Sequence, residues 1–255
     1  MCKYIFNLLI SIFLWMMCKD IPRDNLLDPK NPNSSQSSTV LLEAFVNTNN
    51  PYSYNQWALQ ALDSIKVIYG NKILIAEYHR DTDQYPDPYS KEIFRPLYEK
   101  YVENSHLKLK GVPDIFINGT TKRVQGAASV SGVTTRLNLI LSELVILNNR
   151  FTLEPAEINI NSTELTASCK IACLGNQSVE NLLLRMILIQ KVNSQELKRV
   201  VSDLEKSITI SRLEAGEITL INFNPIRISQ RPDKVIFSLT SSDELTVYQN
   251  IKVDL

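Results

Sequence analysis

The chain has 255 residues, 44 % of them apolar, and its 27 Lys and Arg balance its 27 Asp and Glu. That length gives one large domain or two small ones. A neutral balance without a Lys/Arg run gives no reason to expect a nucleic-acid partner, which goes with a basic face, and its 4 cysteines are no disulfide framework of the small secreted kind.

The chain begins MCKYIFNLLISIFLWMMCKD, one lysine followed by an apolar run from Tyr4 to Met17 and then Cys18. About 14 residues fall short of the roughly 20 that a spanning helix needs. They fit the core of a signal peptide, here residues 1–17. A cysteine directly after such a core resembles the lipobox of bacterial lipoproteins, in which that cysteine becomes the first mature residue and carries the lipid. Cys18 is the candidate lipidation site. The motif normally has a small residue before the cysteine, and this chain has Met17, so an ordinary signal peptide or an uncleaved anchor is the competing reading. Residues 19–39, KDIPRDNLLDPKNPNSSQSST, are rich in Asp, Asn, Pro and Ser and read as a flexible tether. Residues 18–38 are thus expected to be a lipid-anchored linker.

From residue 39 to 149 strands and helices alternate. Val40–Val46 has strand length. In 51–69 the apolar residues Trp57, Leu59, Ala61, Leu62, Ile65 and Ile68 recur mostly at helical steps. Asn50 suits the N-cap and Pro51 the first helical position, and Gly70-Asn71 ends the helix. KILIAEYH is a second strand. SKEIFRPLYEKYVEN, residues 90–104, is a helix kinked or broken at Pro96. GVPDIFINGTTKRVQGA reads as two strands around the hairpin signal Asn118-Gly119, and a last helix runs from about Ser129 to Asn148. Two strands joined by a helix should be parallel with a right-handed crossover, and the order is β-α-β-α-β-β-α.

That succession, with GVPDIFING, resembles the thioredoxin fold, where a cis-proline opens the third strand. Pro113 is the candidate. LLEAFVNTNNPYS is similar to the segment of that fold carrying its redox C-x-x-C, and the resemblance places Asn50 and Ser53 on the two cysteine positions.

Residues 150–255 change to repeated strands: AEINI, ELTASCKIACLG, NLLLRMILIQKV, SITI, EITLINFNPI, DKVIFSLTSS and TVYQNIKVDL. Seven short strands predict an antiparallel immunoglobulin-like sandwich, with VVSDLE in a long connection. The expected fold class is an α/β thioredoxin-like domain (39–149) followed by an all-β immunoglobulin-like sandwich (150–255). The second half, in its strand, VVSDL-like, LEAGE and closing V-x-x-F segments, is similar to the Omp-twenty-eight-related thioredoxin-like outer-membrane lipoproteins. That resemblance implies a location in the bacterial cell envelope, facing periplasm or surface.

The chemistry follows from what stands at the helix start. Thiol–disulfide exchange needs a thiolate there. Asn50 has no nucleophile, and Ser53 has no histidine beside it in sequence. Cys169 and Cys173 fall on one parity of a strand, roughly 13 Å apart at about 3.3 Å per residue, beyond the ~7 Å that a disulfide bridges, and read as core thiols. Asp81, Asp83 and Asp87 lack the glycine and glutamate of a calcium loop and read as a solvated loop. His79 and His106 read as structural, and the NGT and NST sequons at Asn118 and Asn161 carry no role in a bacterial lipoprotein. No cofactor, metal or catalytic residue is expected. The leading reading is a non-catalytic, membrane-anchored module that binds an envelope protein or peptide in a groove lined by Asn50, Pro51, Tyr52, Ser53, Val112 and Pro113, with Tyr52 and Tyr54 adding contact area or merely covering the helix end. The alternative is a thiol–disulfide oxidoreductase or other enzyme with an atypical site. A third is a structural role through the second half.

Overall fold

The computed structural model describes residues 25–28, 38–174, 176–192 and 199–255, with the backbone alone over 204–207. The expected signal peptide, Cys18 and most of the expected tether lie outside these residues. Within the tether, Asn25–Asp28 forms a turn in which the Asp28 N–H donates to Asn25 O at 3.0 Å, and Leu26 is buried. A leucine removed from water is not the behaviour of free linker.

The first half runs β1 (Val40–Val46), α1 (Tyr54–Tyr69), β2 (Ile73–His79), α2 (Arg95–Glu103), β3 (Asp114–Ile117), β4 (Lys122–Gln125) and α3 (Val130–Leu144). β1 and β2 are parallel in register from Val40↔Ile73 to Val46↔His79, and β3 lies antiparallel on the other side of β1. Every residue of β1 and β2 is buried, because the sheet is covered on both faces. Alternation sorts the side chains: Val40, Leu42, Ala44 and Val46 meet the core under α1 and α3, while Leu41 and Phe45 meet the core under α2.

The second half is β5 (Phe151–Ile160), β6 (Glu164–Cys173), β7 (Val179–Gln190), β8 (Val200–Leu213), β9 (Ile218–Asn222), β10 (Ile226–Arg227), β11 (Lys234–Ser241) and β12 (Val247–Asp254). These strands do not close on themselves as a separate domain. β8 lies parallel to β2, pairing Glu77 with Val200. The result is one eight-stranded mixed sheet in the order β12-β11-β7-β8-β2-β1-β3-β4. β5, β6, β9 and β10 form a second sheet that shares a core with β7, β8 and β11 through Leu165, Cys169, Ile171, Leu184, Met186 and Phe237.

This corrects the expected fold class. Strand accounts for 44 % of the residues and helix for 22 %, and the chain is not an α/β thioredoxin-like domain followed by an independent immunoglobulin-like sandwich. A single sheet crosses the expected boundary at 149/150. VVSDLE, expected in a connection, is part of the 14-residue strand β8, whose first turn of chain supplies the edge that β2 needs. The core under α2 is likewise continuous, joining Tyr78, Tyr101 and Phe116 to Ile187, Ile189, Val201 and Ile236.

Two polar devices fix that junction. Arg185 of β7 donates to Glu43 Oε1 of β1 at 3.2 Å and to Tyr101 Oη at 3.1 Å. Glu43 also accepts from Tyr78 at 3.2 Å and from Tyr101 at 2.8 Å. Arg199, just before β8, reaches Glu77 Oε1 at 2.8 Å through Nε and Asp63 at 2.6 Å through a terminal nitrogen. At the far end of the sheet the β3–β4 turn has Asn118 at φ 50° and Gly119 at φ 69°. The Thr120 N–H donates to Leu245 O at 2.8 Å, and a Cβ on Gly119 would collide with that same carbonyl. The turn is therefore clamped to the β11–β12 hairpin.

Candidate functional site

The strand-to-helix junction after β1 is built from amide side chains. Asn47, fully buried, donates through Nδ2 to Arg80 O at 2.9 Å and Tyr85 O at 2.6 Å. Its Oδ1 accepts the Asn50 N–H at 2.8 Å, and its own N–H donates to Asn55 Oδ1 at 3.2 Å. One asparagine thus ties the loop to the residues after β2 and to the first turn of α1.

Asp87 holds the loop from below. Its Oδ2 accepts the Thr48 N–H at 2.6 Å and the Thr48 hydroxyl at 2.9 Å, and its Oδ1 accepts the Tyr89 N–H at 2.9 Å. His79 Nδ1 lies 3.1 Å from Oδ2. Burial pushes the Asp87 carboxyl up, but the hydrogen bonds from His79, Thr48 and Tyr89 outweigh it and hold the carboxyl below its ordinary value. Asp81 and Asp83 are exposed as expected of a solvated loop, whereas Asp87 is buried and is a correction to that reading. Asn47 does not stand out in the sequence, and Asp87 reads there only as part of a solvated loop. The one available signal was Asp87 between Pro86 and Pro88, a charged residue where the chain cannot be regular.

The expected cap also shifts. α1 begins at Tyr54, with Ser53 as an N-cap that makes no side-chain capping bond. Asn50 Oδ1 accepts the Tyr52 N–H at 3.0 Å, an Asx turn, which is the local alternative to capping that asparagine offers. Pro51 therefore sits in the turn and not at the first helical position. Pro51, Tyr52, Ser53 and Tyr54 are all exposed, and Asn50 is half-buried.

The tyrosines form a surface feature. The rings of Tyr52 and Tyr54 stack with centroids 5.6 Å apart and planes at 24°, and Trp57 meets Tyr54 edge-on at 6.0 Å. On one side of them a cavity of about 220 Å³ is lined by Asn47, Thr48, Asn50, Tyr52, Ser53 and Gln56, among others. On the other, Tyr54 borders a shallower space of about 440 Å³ with Gly126, Ala127, Ala128, Gly132 and Arg136. No Asp, Glu, Lys or Arg occurs from Phe45 to Leu62, so this face is uncharged along the chain.

The Val112–Pro113 peptide is cis. Pro113 is buried and Val112 half-buried, and Pro113 O accepts the Gly126 N–H at 2.8 Å, which positions the shelf beside Tyr54. Neither residue borders the two cavities. Of the six expected groove residues, Asn50, Pro51, Tyr52 and Ser53 come together in the smaller cavity, and Val112 and Pro113 are not brought to it.

The two thiols are elsewhere. Cys169 and Cys173 are free and buried, on β6 in the core between the two sheets. Burial pushes the Cys169 thiol up to about 12, the reverse of the low value a thiolate nucleophile requires. His79 is buried and His106 exposed. Asn118 is buried and its Oδ1 accepts the Leu41 N–H at 2.8 Å, so it is a turn residue; Asn161 is exposed. Among the described residues no group of three His, Cys, Asp or Glu could hold a metal ion, and no helix is long and apolar enough to cross a membrane.

No family model matches the chain, and no curated protein matches it in sequence. Among solved structures it is similar to HBP35 of Porphyromonas gingivalis, with a TM-score of 0.64 at 10 % identity over 87 % of this chain and 76 % of that one. It is also similar to protein AGR_C_4864 from Agrobacterium tumefaciens, with a TM-score of 0.55 at 14 % identity over 86 % of this chain and 95 % of that one. At such identities the likeness concerns the fold, which these proteins share across both halves of the chain.

Proposed function

We propose that the chain is an exported, membrane-anchored recognition module of the bacterial cell envelope, attached by lipid at Cys18. In this reading it binds an extended segment of an envelope protein at the start of α1, without bond-making chemistry there. The observation that carries the binding reading is the Tyr52–Tyr54–Trp57 cluster. Stacked aromatic rings left in water at a loop braced from beneath are large, rigid contact surfaces that lose little entropy on binding. The polar groups around them serve the loop: Asn47, Asp87 and Asn50 hold its backbone.

The anchor reading rests on the apolar run before Cys18. Its test is palmitate labelling of the expressed chain, with incorporation expected to vanish in Cys18→Ser. The binding site is tested by native pull-down from envelope extract with Tyr52→Ala, Tyr54→Ala and Val112→Asp. Partner recovery is expected to fall several-fold with either tyrosine variant. Unchanged recovery in all three would remove the site.

A further inference from the structure

A cavity of about 430 Å³ lies between the loop after β2 and the start of α2, lined by Arg80, Asp81, Asp83, Lys91, Tyr98 and Lys110, among others. Small-molecule sites run from about 300 to 1,000 Å³, so its size suits a small organic occupant. Its aromatic residues are Phe45, Phe94 and Tyr98, all buried in the core under α2. Tyr98 is fixed at its tip, where its hydroxyl donates to Asp114 Oδ2 at 3.1 Å and accepts the Gly111 N–H at 2.8 Å. Arg80 lies on this platform, its guanidinium carbon 3.8 Å from the centre of the Tyr98 ring. Its backbone is held on both sides: the N–H donates to Val46 O at 3.0 Å, and the carbonyl accepts from Asn47 Nδ2 at 2.9 Å.

The Arg80 guanidinium makes no hydrogen bond or ion pair among the described residues, although Asp81, Asp83, Glu92 and Glu99 line the same cavity. Glu92 is taken by Arg95 at 2.8 Å and Glu99 by Lys110 at 3.1 Å. Asp81 Oδ1 accepts the Asp87 N–H at 2.7 Å. Asp83 is exposed and, like Arg80, has no polar partner among the described residues. An arginine seated on a ring has used one planar face and keeps its in-plane N–H fork, which takes a carboxylate or phosphate through two parallel hydrogen bonds. The neighbouring acids decide between these. A doubly charged phosphate would meet Asp81 and Asp83 in the same cavity, and like charges disfavour it. A carboxylate that carries an ammonium beside it gives Arg80 and Asp83 one partner each. We propose that this cavity binds a free α-amino acid, its carboxylate on the Arg80 fork and its ammonium toward Asp83. The proposal rests on neither the membrane anchor nor the tyrosine site.

The test is saturation-transfer NMR on the full chain. The common α-amino acids are observed in mixtures, and acetate, methylammonium and methylphosphonate serve as probes that carry one kind of charge each. Transfer to at least one amino acid, several-fold stronger than to any single-charge probe, is the expected result. The dissociation constant of that amino acid is expected to rise several-fold in Arg80→Met, which keeps a stem over Tyr98 without the charge. It should also rise in Arg80→Lys, which keeps the charge without the fork, and in Asp83→Asn. Absence of transfer to every amino acid would overturn the proposal. So would a dissociation constant unchanged in both Arg80 variants, which would put the ligand elsewhere. Acetate or methylphosphonate bound as tightly as the amino acid, and more tightly still in Asp83→Asn, would overturn it in favour of a simple anion site.

Discussion

Arg185 and Glu43 meet at 3.2 Å with neither side chain exposed to solvent, and the two belong to opposite halves of the chain. Removing one partner of such a pair leaves the other charged in the interior, which costs about 3–5 kcal/mol, whereas replacing both by apolar residues is close to neutral. Arg185→Met is therefore expected to lower unfolding stability by that amount in urea titrations. Adding Glu43→Leu is expected to restore most of it. If the double variant is as unstable as the single, the penalty does not come from the stranded carboxylate.

Gly119 and Gly126 provide a matched pair. Both have φ of 69°, but only Gly119 faces a carbonyl where its Cβ would go; Gly126 has open space. Gly126→Ala is expected to cost about 1–2 kcal/mol for the left-handed backbone alone. Gly119→Ala carries that cost and the collision with Leu245, so its melting temperature should fall further.

Asp87 makes stability depend on pH. Its folded value lies below the ordinary 3.8, so its ionised form contributes stability that is complete above the ordinary carboxylate range. That contribution is lost as pH falls through the folded value. Asp87→Asn should flatten the acid limb of a stability-versus-pH curve and speed hydrogen exchange at the Thr48 amide. An unaltered acid limb would show that Asp87 gains nothing from its partners.

Cys169, with its thiol raised to about 12 by burial, should resist iodoacetamide at pH 8 until the chain unfolds. Mass spectrometry of alkylated peptides under native and denaturing conditions checks this. Native-state labelling at Cys169, together with insulin reduction lost in Cys169→Ser, would reinstate the oxidoreductase reading.

Much of the local order was legible. The helical steps in 54–69 and the Asn118-Gly119 turn come from short-range chemistry, and they appear where expected. The helix start moved because Asn50 uses its side chain on Tyr52 two residues on, a choice that periodicity does not distinguish from a cap. The helical stretch 90–104 is broken at Pro96, as its sequence suggests. A 3₁₀ turn at Glu92–Phe94 precedes α2 and leaves the proline in the first turn, where its missing N–H is tolerated. The single sheet was not legible, because its decisive pairing joins Glu77 to Val200 across 123 positions of sequence, and strand periodicity carries no information on partners. One clue was present. Glu43 in LLEAFV and Arg185 in LLLRMIL are opposite charges inside apolar strands, and each would be costly to bury without the other.

β1 begins two residues after Ser38 and lies between β2 and β3. If the chain is anchored ahead of β1 as proposed, traction on it pulls along the axis of an interior strand. Its ladder with β2, from Val40 to Val46, is loaded in shear, so its rungs must yield together and not one after another. An edge strand hung in the same way would unzip. Resistance to such a pull is governed by the unfolding rate and not by the folding equilibrium.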